Sequence, residues 1–591
     1  MNTEKLKGGA GSPTDIKYLN QLEDEENMEA FHFEQVNDKK LAQRRERGYP
    51  AIDQDDEAFA DIEAGKPNPF IFVITVLVSF SGFLFGYDTG YISSALTSIG
   101  TDLGGHQLSD GDESLITSAT SLGALLGGII AGSIADAIGR KWVTLFANTL
   151  FVVGAAVQTG SHEVWPMIGG RFIMGWGVGI ASLVAPLYLS EMAPSRFRGR
   201  LVILNVLAIT SGQVIAYAIG AGLAHVHNGW RIQVGLSMLP ALVQTVIFVF
   251  MPETPRYLVQ HNKIDQARKV IRFIYTPGGG VVLPEAVVER KIRLLQQYST
   301  VLVGPDENPT FFNNLKAASR KLYGISGNFR ALVIACGLQG IQQLSGFNSL
   351  MYFSSSLFQT VGFDNPTAVS LIISGTNMAF TIVAFLLIDL IGRRRILLCS
   401  IPIMAGALVL AAIAFHFLPD NATGANPWAI IILISMMVYV ASYASGIGNV
   451  PWQQSELFPI EVRGLGTSMS TMTNWGGNLI ISSTYLKMMD SITPSGTFGF
   501  FAAMCACGWI FVLMVYPETA YLTLESVQVI LKEKFDIKLS YRMSAAARRE
   551  FREEALRKKD HSEHKVTLRK KDPVDVSEKM DTVTEITPEQ Q

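Results

Sequence analysis

Twelve apolar stretches, each about as long as a helix that crosses roughly 30 Å of hydrocarbon, run through this chain and leave it few folds to adopt. They lie near residues 70–97, 114–138, 142–160, 164–192, 201–224 and 231–251, and again near 330–358, 367–391, 395–418, 427–455, 464–489 and 497–516. The main polar blocks are residues 1–68, a block from 252 to 328, and residues 517–591. With 48% hydrophobic and only 17% charged residues, and a mean hydropathy of +0.26, the composition is that of a polytopic membrane protein. The expected fold is all-α, with twelve transmembrane helices crossing a lipid bilayer.

Lys and Arg are retained in the cytoplasm, so the short loops set the orientation. One alternate set carries Arg140 and Lys141, then Arg196, Arg198 and Arg200, then the basic central block, then Arg393, Arg394 and Arg395, then Arg463. The loops near 98–113, 161–163, 225–229, 359–366 and 419–426 hold no Lys or Arg. Both termini are therefore expected in the cytoplasm. No charged-then-apolar leader with a cleavage site precedes the first stretch, which is expected to direct insertion itself. The basic residues are scattered and form no stripe, so no nucleic-acid partner is implied. All four cysteines fall inside apolar stretches, and neither a disulfide framework nor a metal site is indicated.

The chain also repeats itself. Asp136-x-x-Gly139-Arg140-Lys141 recurs as Asp389-x-x-Gly392-Arg393-Arg394, and Ser190-Glu191-x-x-Pro194-x-x-x-Arg198-Gly199 as Ser455-Glu456-x-x-Pro459-x-x-x-Arg463-Gly464. Pro252-Glu253-Thr254 recurs as Pro517-Glu518-Thr519. Two pseudo-symmetric six-helix bundles explain this, one at 69–251 and one at 329–516, joined by a cytoplasmic helical linker at 252–328 and flanked by cytoplasmic tails at 1–68 and 517–591. Repeats of this kind are characteristic of transporters, whose binding site lies near the midplane where the repeats meet. The repeated acids and arginines (Asp136, Arg140, Glu191, Arg198, Asp389, Arg393, Glu456 and Arg463) sit at cytoplasmic helix ends. They are suited to charge-assisted pairs that hold the inner face shut until the bundles rock apart.

Inside the first bundle stand two deep charges. Asp88 lies within Gly86-Tyr87-Asp88-Thr89-Gly90-Tyr91, and Arg171 lies about eight residues into the fourth stretch. A charge at membrane depth is costly and marks an ion or proton pathway by default, so the two are expected to pair. If they part in one conformation, Asp88 becomes an isolated buried carboxylate and takes up a proton, which it releases when the pair re-forms. A passive carrier with a permanently closed pair is the other reading open to the sequence. Gly175, Gly177 and Gly179 that follow Arg171 lie within one apolar helix and read as close packing, not as a phosphate loop.

In the second bundle, Gln342, Gln343 and Asn348 stand at 0°, 100° and 240° around a helix, so a straight helix cannot aim all three at one ligand. A break near Gly346 would. Gly446-x-Gly448-x-x-Pro451-Trp452 predicts a second break, and Asn474-Trp475 follows on the eleventh stretch. Carboxamides both donate and accept, aromatic faces cover C–H surfaces, and no charge lies deep in this half. The expected substrate is uncharged and rich in hydroxyls.

Together these motifs resemble the sugar porter family of the major facilitator superfamily over about 69–525. Within it, Gly-Tyr-Asp-Thr-Gly-Tyr-Ile-Ser-Ser-Ala-Leu and Gly-Asn-Val-Pro-Trp-Gln-Gln-Ser-Glu are most similar to fungal myo-inositol/proton symporters. The resemblance implies the major facilitator fold, no enzymatic activity, no cofactor beyond a coupling proton, and a single chain working in the plasma membrane. It implies sugar contacts at Phe85, Gln213, Gln342, Gln343, Asn348, Tyr352, Trp452, Asn474 and Trp475, and a coupling pair at Asp88 and Arg171. Val206 stands where many hexose porters carry Gln, and the spacing from Trp452 to Glu456 is one residue short, which turns the reading from glucose or xylose toward a neutral cyclic polyol, myo-inositol. A hexose or pentose transporter is the runner-up, and a transporter-like nutrient sensor a third reading. The sequon Asn421-Ala422-Thr423 is expected to go mostly unused, and residues 543–560 read as a charged helix with a solvated face.

Overall fold

The structure, a computed structural model, describes residues 69–192, 198–276, 285–302, 311–419, 426–459, 461–522, 524–532, 534–549 and 552. The sequon at Asn421 lies outside them, as do the side chains of Arg198 and Asp389.

The first half comprises α1 (Pro69–Ile99), α2 (Asp110–Ile138), α3 (Arg140–Thr159), α4 (Val164–Met192), α5 (Arg198–Leu223), and a sixth span in two pieces, α6 (Gly229–Leu236) and α7 (Met238–Phe250). Four linker helices follow: α8 (Pro255–Gln260), α9 (Ile264–Tyr275), α10 (Glu285–Leu302) and α11 (Phe311–Gly324). The second half comprises α12 (Ser326–Leu344), α13 (Phe347–Thr360), α14 (Pro366–Ile391), α15 (Arg393–His416), α16 (Pro427–Ser445) with a 3₁₀ turn at Val450–Glu456, α17 (Arg463–Ser491) and α18 (Thr493–Val515), followed by α19 (Leu524–Leu531).

Helix starts follow local chemistry. Ser109 and Asp112 form a reciprocal capping box on α2. Asn365 and Asn426 cap α14 and α16, each with Pro at the first helical position.

Among the described residues, ten helical spans are long and apolar enough to cross a bilayer. The two remaining expected spans fall short for a physical reason. The seventh is cut at Gly346, whose φ of +85° ends α12 and starts α13. The eleventh, α17, is 29 residues long but rich in Ser, Thr, Asn and Gly. It packs between α12 and α2, so it has protein neighbours on two sides and needs less of an apolar surface. Lipid-facing positions behave oppositely: Val246, Phe250, Leu386, Leu390 and Met514 are all exposed.

Contacts between the halves respect the repeat. The second helix, α2, packs on the eleventh, α17, and the fifth, α5, packs on the eighth, α14, a pair of contacts that a pseudo-twofold axis exchanges. A third contact, α1 on α13, closes one end of the bundle: Ser93 Oγ lies 3.0 Å from Ser354 Oγ and donates to Ser355 Oγ at 3.1 Å, and Tyr217 of α5 donates to the Met351 carbonyl.

The repeated charged motifs lie at the opposite end, where the linker packs. There α9 is amphipathic, burying Ala267, Val270, Ile271 and Ile274 against Val287, Val288 and Ile292 of α10. Arg268 ties the two helices through Glu289 at 2.5 Å. At this end the second half also receives the polypeptide beyond α19. Residues 537–549 are helical, and Ser540 and Ser544 are buried, Ser540 accepting from the Glu518 N–H at 3.1 Å and Ser544 donating to the Ala520 carbonyl at 2.9 Å. The helix therefore begins before 543 and has a docked face. Its serines, small enough to bury, lie on that face, and Arg548 adds a contact from the charged set by donating to the Leu390 carbonyl.

Candidate functional site

Asp88 and Arg171 meet inside the first half. Arg171 Nη1 donates to Asp88 Oδ1 at 2.5 Å, and both residues are at most 2% exposed. The same Nη1 donates to Tyr91 Oη at 3.0 Å, and Arg171 Nε donates to the Ile116 carbonyl of α2 at 3.2 Å. A guanidinium can be held here because glycines bring the backbones together: a Cβ on Gly175 or Gly179 would strike the Thr120 or Ala124 carbonyl of α2.

Between the halves lies a cavity of about 500 Å³, its open mouth included. Phe85 of α1 and Gln213 of α5 line it from one side. Gln342, Gln343, Asn348, Asn377, Trp452 and Asn474 line it from the other, and no charged side chain does. The break at Gly346 brings Gln343 and Asn348 onto one wall, where Asn348 Nδ2 donates to Gln343 Oε1 at 2.7 Å. The second break is real as well. α16 ends at Ser445, and the backbone at Gly446 (φ −128°, ψ −92°) leads into the 3₁₀ turn that carries Trp452. Carbonyls freed by that break are used: Gln342 Nε2 donates to those of Ile447 and Gly448 at 3.1 and 3.3 Å.

Tyr352 and Trp475 are not among the residues that line this cavity. Tyr352 Oη accepts from Asn478 Nδ2 at 3.2 Å on the closed side of the bundle. Trp475 packs edge-on to Phe85 with ring centroids 5.3 Å apart, and its Nε1 donates to Ser182 Oγ of α4 at 3.1 Å. Its indole thus bridges the halves. Asn377 lines the cavity and was missed by sequence reasoning; its Nδ2 donates to Gln213 Oε1 at 2.8 Å across the halves. The only signal for it was a lone amide in an otherwise apolar run.

The family model described as Sugar (and other) transporter matches residues 74–531. This chain belongs to that family. The transporter is similar to myo-inositol transporter 1 of Saccharomyces cerevisiae, 49% identical over 500 residues that cover 83% of this chain and 84% of the relative. It is 48% identical to myo-inositol transporter 1 of Candida albicans, with 81% and 86% covered, and 46% identical to myo-inositol transporter 2 of Schizosaccharomyces pombe, with 81% and 85% covered. Among solved structures, the proton:xylose symporter XylE bound to 6-bromo-6-deoxy-D-glucose superposes with a TM-score of 0.65 at 25% identity, covering 78% of this chain and 99% of that one.

At the charged end, the transporter's repeats build two matching clasps. Glu253 accepts the backbone N–H groups of Arg140 at 3.1 Å, Lys141 at 3.0 Å and Thr254 at 2.9 Å. Glu518 accepts those of Arg393 at 3.0 Å and Ala520 at 3.1 Å. Gly139 and Gly392, with φ of +99° and +105°, leave room for those carboxylates. Each clasped arginine then reaches the acid of the next motif: Arg140 pairs with Glu191 at 2.9 Å and Asp136 at 2.7 Å, and Arg393 with Glu456 at 3.2 Å. Arg256, from Pro-Glu-Thr-Pro-Arg, adds a second cation 3.8 Å from Glu191. Arg463 Nε and Nη2 donate to the Phe458 carbonyl at 3.4 and 3.3 Å. None of these contacts joins one half to the other; they tie each half to itself and to the linker or tail segment that follows it, and so stiffen each body at its rim. Burial raises the tendency of Glu253 to hold a proton, and the three N–H donors with Arg140 act against it.

Proposed function

We propose that this transporter imports a neutral cyclic polyol, myo-inositol, together with protons, by alternating exposure of the central cavity. The observation that carries the substrate class is the cavity wall itself, amides and aromatic rings with no charged side chain. Each hydroxyl of a polyol both donates and accepts, and so does each carboxamide. The relatives at 46–49% identity are named for myo-inositol, which narrows the polyol. Asp88 and Arg171 are the coupling pair: a carboxylate this deep is tolerated as an anion beside its arginine and as a neutral acid without it. The two six-helix bundles, 69–251 and 329–516, are the rocking bodies. The Lys- and Arg-rich loops support a cytoplasmic charged end with both termini on that side, and the membrane in this reading is the plasma membrane. A single chain holds the whole site and is the working unit.

The test is uptake of labelled myo-inositol by purified protein in sealed vesicles. Accumulation above the outside concentration that collapses when the proton gradient is dissipated supports symport. Mere equilibration indicates a facilitator, stronger competition by glucose or xylose indicates a hexose or pentose carrier, and no uptake indicates a sensor. Asp88→Asn is expected to abolish accumulation while sparing exchange of inositol across the membrane, because exchange moves no net proton.

A further inference from the structure

Tyr91 and Gln158 belong to neither the cavity nor the rim clasps, yet both are fully buried beside the Asp88–Arg171 pair. Gln158 projects from α3 into a slot between α3 and α4 made by Gly154 and Gly170, where a Cβ on Gly170 would meet the Gln158 side chain at 2.7 Å. Its Nε2 donates to the Gly154 carbonyl at 3.1 Å, which fixes the amide and turns Oε1 toward α1. Tyr91 donates its hydroxyl proton to that Oε1 at 2.7 Å. With its proton on Gln158 Oε1, rather than on Met174 Sδ 3.7 Å away or on the Asp88 carboxylate that the hydroxyl also neighbours, the phenol oxygen presents its lone pairs to Arg171 Nη1 at 3.0 Å, with the guanidinium carbon 5.6 Å from the ring centre.

We propose that Tyr91, oriented by Gln158, is a positioning residue for proton coupling: it is a second acceptor that keeps the Arg171 guanidinium in place while Asp88 is protonated. The inference rests on the coupling reading of Asp88 given above. When a proton from the outside medium adds to the Asp88 carboxylate, the ion pair is lost and the acid is neutral. Arg171 then has the Tyr91 oxygen and the Ile116 carbonyl for its N–H groups. Without the Tyr91 oxygen only Ile116 remains of these two, and a buried cation with fewer partners disfavours the protonated state. More protons are then needed to fill Asp88. The titratable groups acting on the pair are Arg171 from α4, Tyr91 on the same helix as Asp88, and Tyr352 from α13. From α6, Gln233 presents neutral groups, its carbonyl accepting from Tyr87 and its Oε1 from Ser94.

The experiment measures inositol accumulation against external pH, normalised to protein in the vesicles, for the native chain, Tyr91→Phe and Gln158→Leu. Both variants are expected to need about tenfold more protons for half-maximal accumulation, the scale of one hydrogen bond to a charged group. Exchange in an Asp88→Asn background is expected to be the same with and without Tyr91→Phe. A loss of uptake by the same factor at every pH overturns the proposal, as does a Tyr91→Phe defect that persists in exchange when Asp88 is already Asn. Should Asp88→Asn itself still accumulate inositol, the coupling reading fails and takes this one with it. Gln158→Leu leaves the Tyr91 ring in place and keeps the test decisive if Tyr91→Phe does not fold.

Discussion

The carboxamides around the cavity divide by what their own atoms already bind. Asn474 Nδ2 is spent on Gln339 Oε1 at 2.6 Å and Gln342 Oε1 at 2.9 Å, and Gln342 Nε2 on the carbonyls freed by the break in the tenth span. These amides tie α12, α16 and α17 into one wall. Gln343 with Asn348, and Gln213 with Asn377, each make one bond to each other and leave an NH₂ and a C=O toward the cavity. Truncating the two sets therefore has different consequences. Gln343→Ala is expected to raise the KM for inositol roughly tenfold with little change in thermal stability, the cost of one polar contact to substrate. Asn474→Ala strands two buried acceptors and is expected to lower the unfolding temperature in detergent as well as transport. Equal behaviour of the two variants in both measurements would remove the distinction. Sequence could offer every one of these residue types, but not which amide satisfies which, because that depends on where two breaks point the side chains. Asn377 escaped notice for the same reason: one Asn in an apolar helix is as often glue as site.

At the scale of elements, the breaks decide the site. Angles around a helix show that Gln342, Gln343 and Asn348 cannot converge on a straight one, so Gly346 had to be where the helix yields, and it does so with a φ open to glycine. A side chain there meets a second obstacle, since a Cβ on Gly346 lies 2.7 Å from the ring of Phe501 on α18. Gly346→Ala is expected to cost about 1–2 kcal/mol from the left-handed backbone alone. Thermal unfolding of the purified variant reads this, and an unchanged midpoint would mean that the turn relaxes into ordinary helix. The same variant is expected to weaken inositol binding by pulling Asn348 off the wall. The helix at 537–549 shows the opposite limit of periodicity. Its charges suggested a solvated face, whereas it docks on the second half through the buried Ser540 and Ser544, through Tyr541 under Arg395, and through Arg548, which donates to the Leu390 carbonyl; a hydrophobicity pattern registers none of these polar contacts.

For the whole molecule, repetition was the most legible property, because charges at helix ends recur in order and a duplicated fold must reproduce their geometry. The Glu253 and Glu518 clasps do so down to the left-handed glycines beside them. What repetition cannot reveal is the state of the machine. In this structure the halves meet at the end away from the charged motifs through serine hydroxyls, Ser93 to Ser354 and Ser355, and through Tyr217 to the Met351 carbonyl. Small neutral hydrogen bonds make a contact that is easy to part, each contributing about 1 kcal/mol net. A gate built this way opens at modest cost, and it must open for substrate to enter from that side. Ser93→Cys with Ser354→Cys replaces oxygens 3.0 Å apart with thiols placed to form a disulfide. Oxidation of that double variant is expected to reduce uptake at least about tenfold, with recovery on reduction. Each single variant, which keeps Cys336, Cys399, Cys505 and Cys507, should be unaffected by the same oxidant. Full uptake by the cross-linked protein would mean that α1 and α13 never separate during the cycle, and the entry path would have to lie elsewhere.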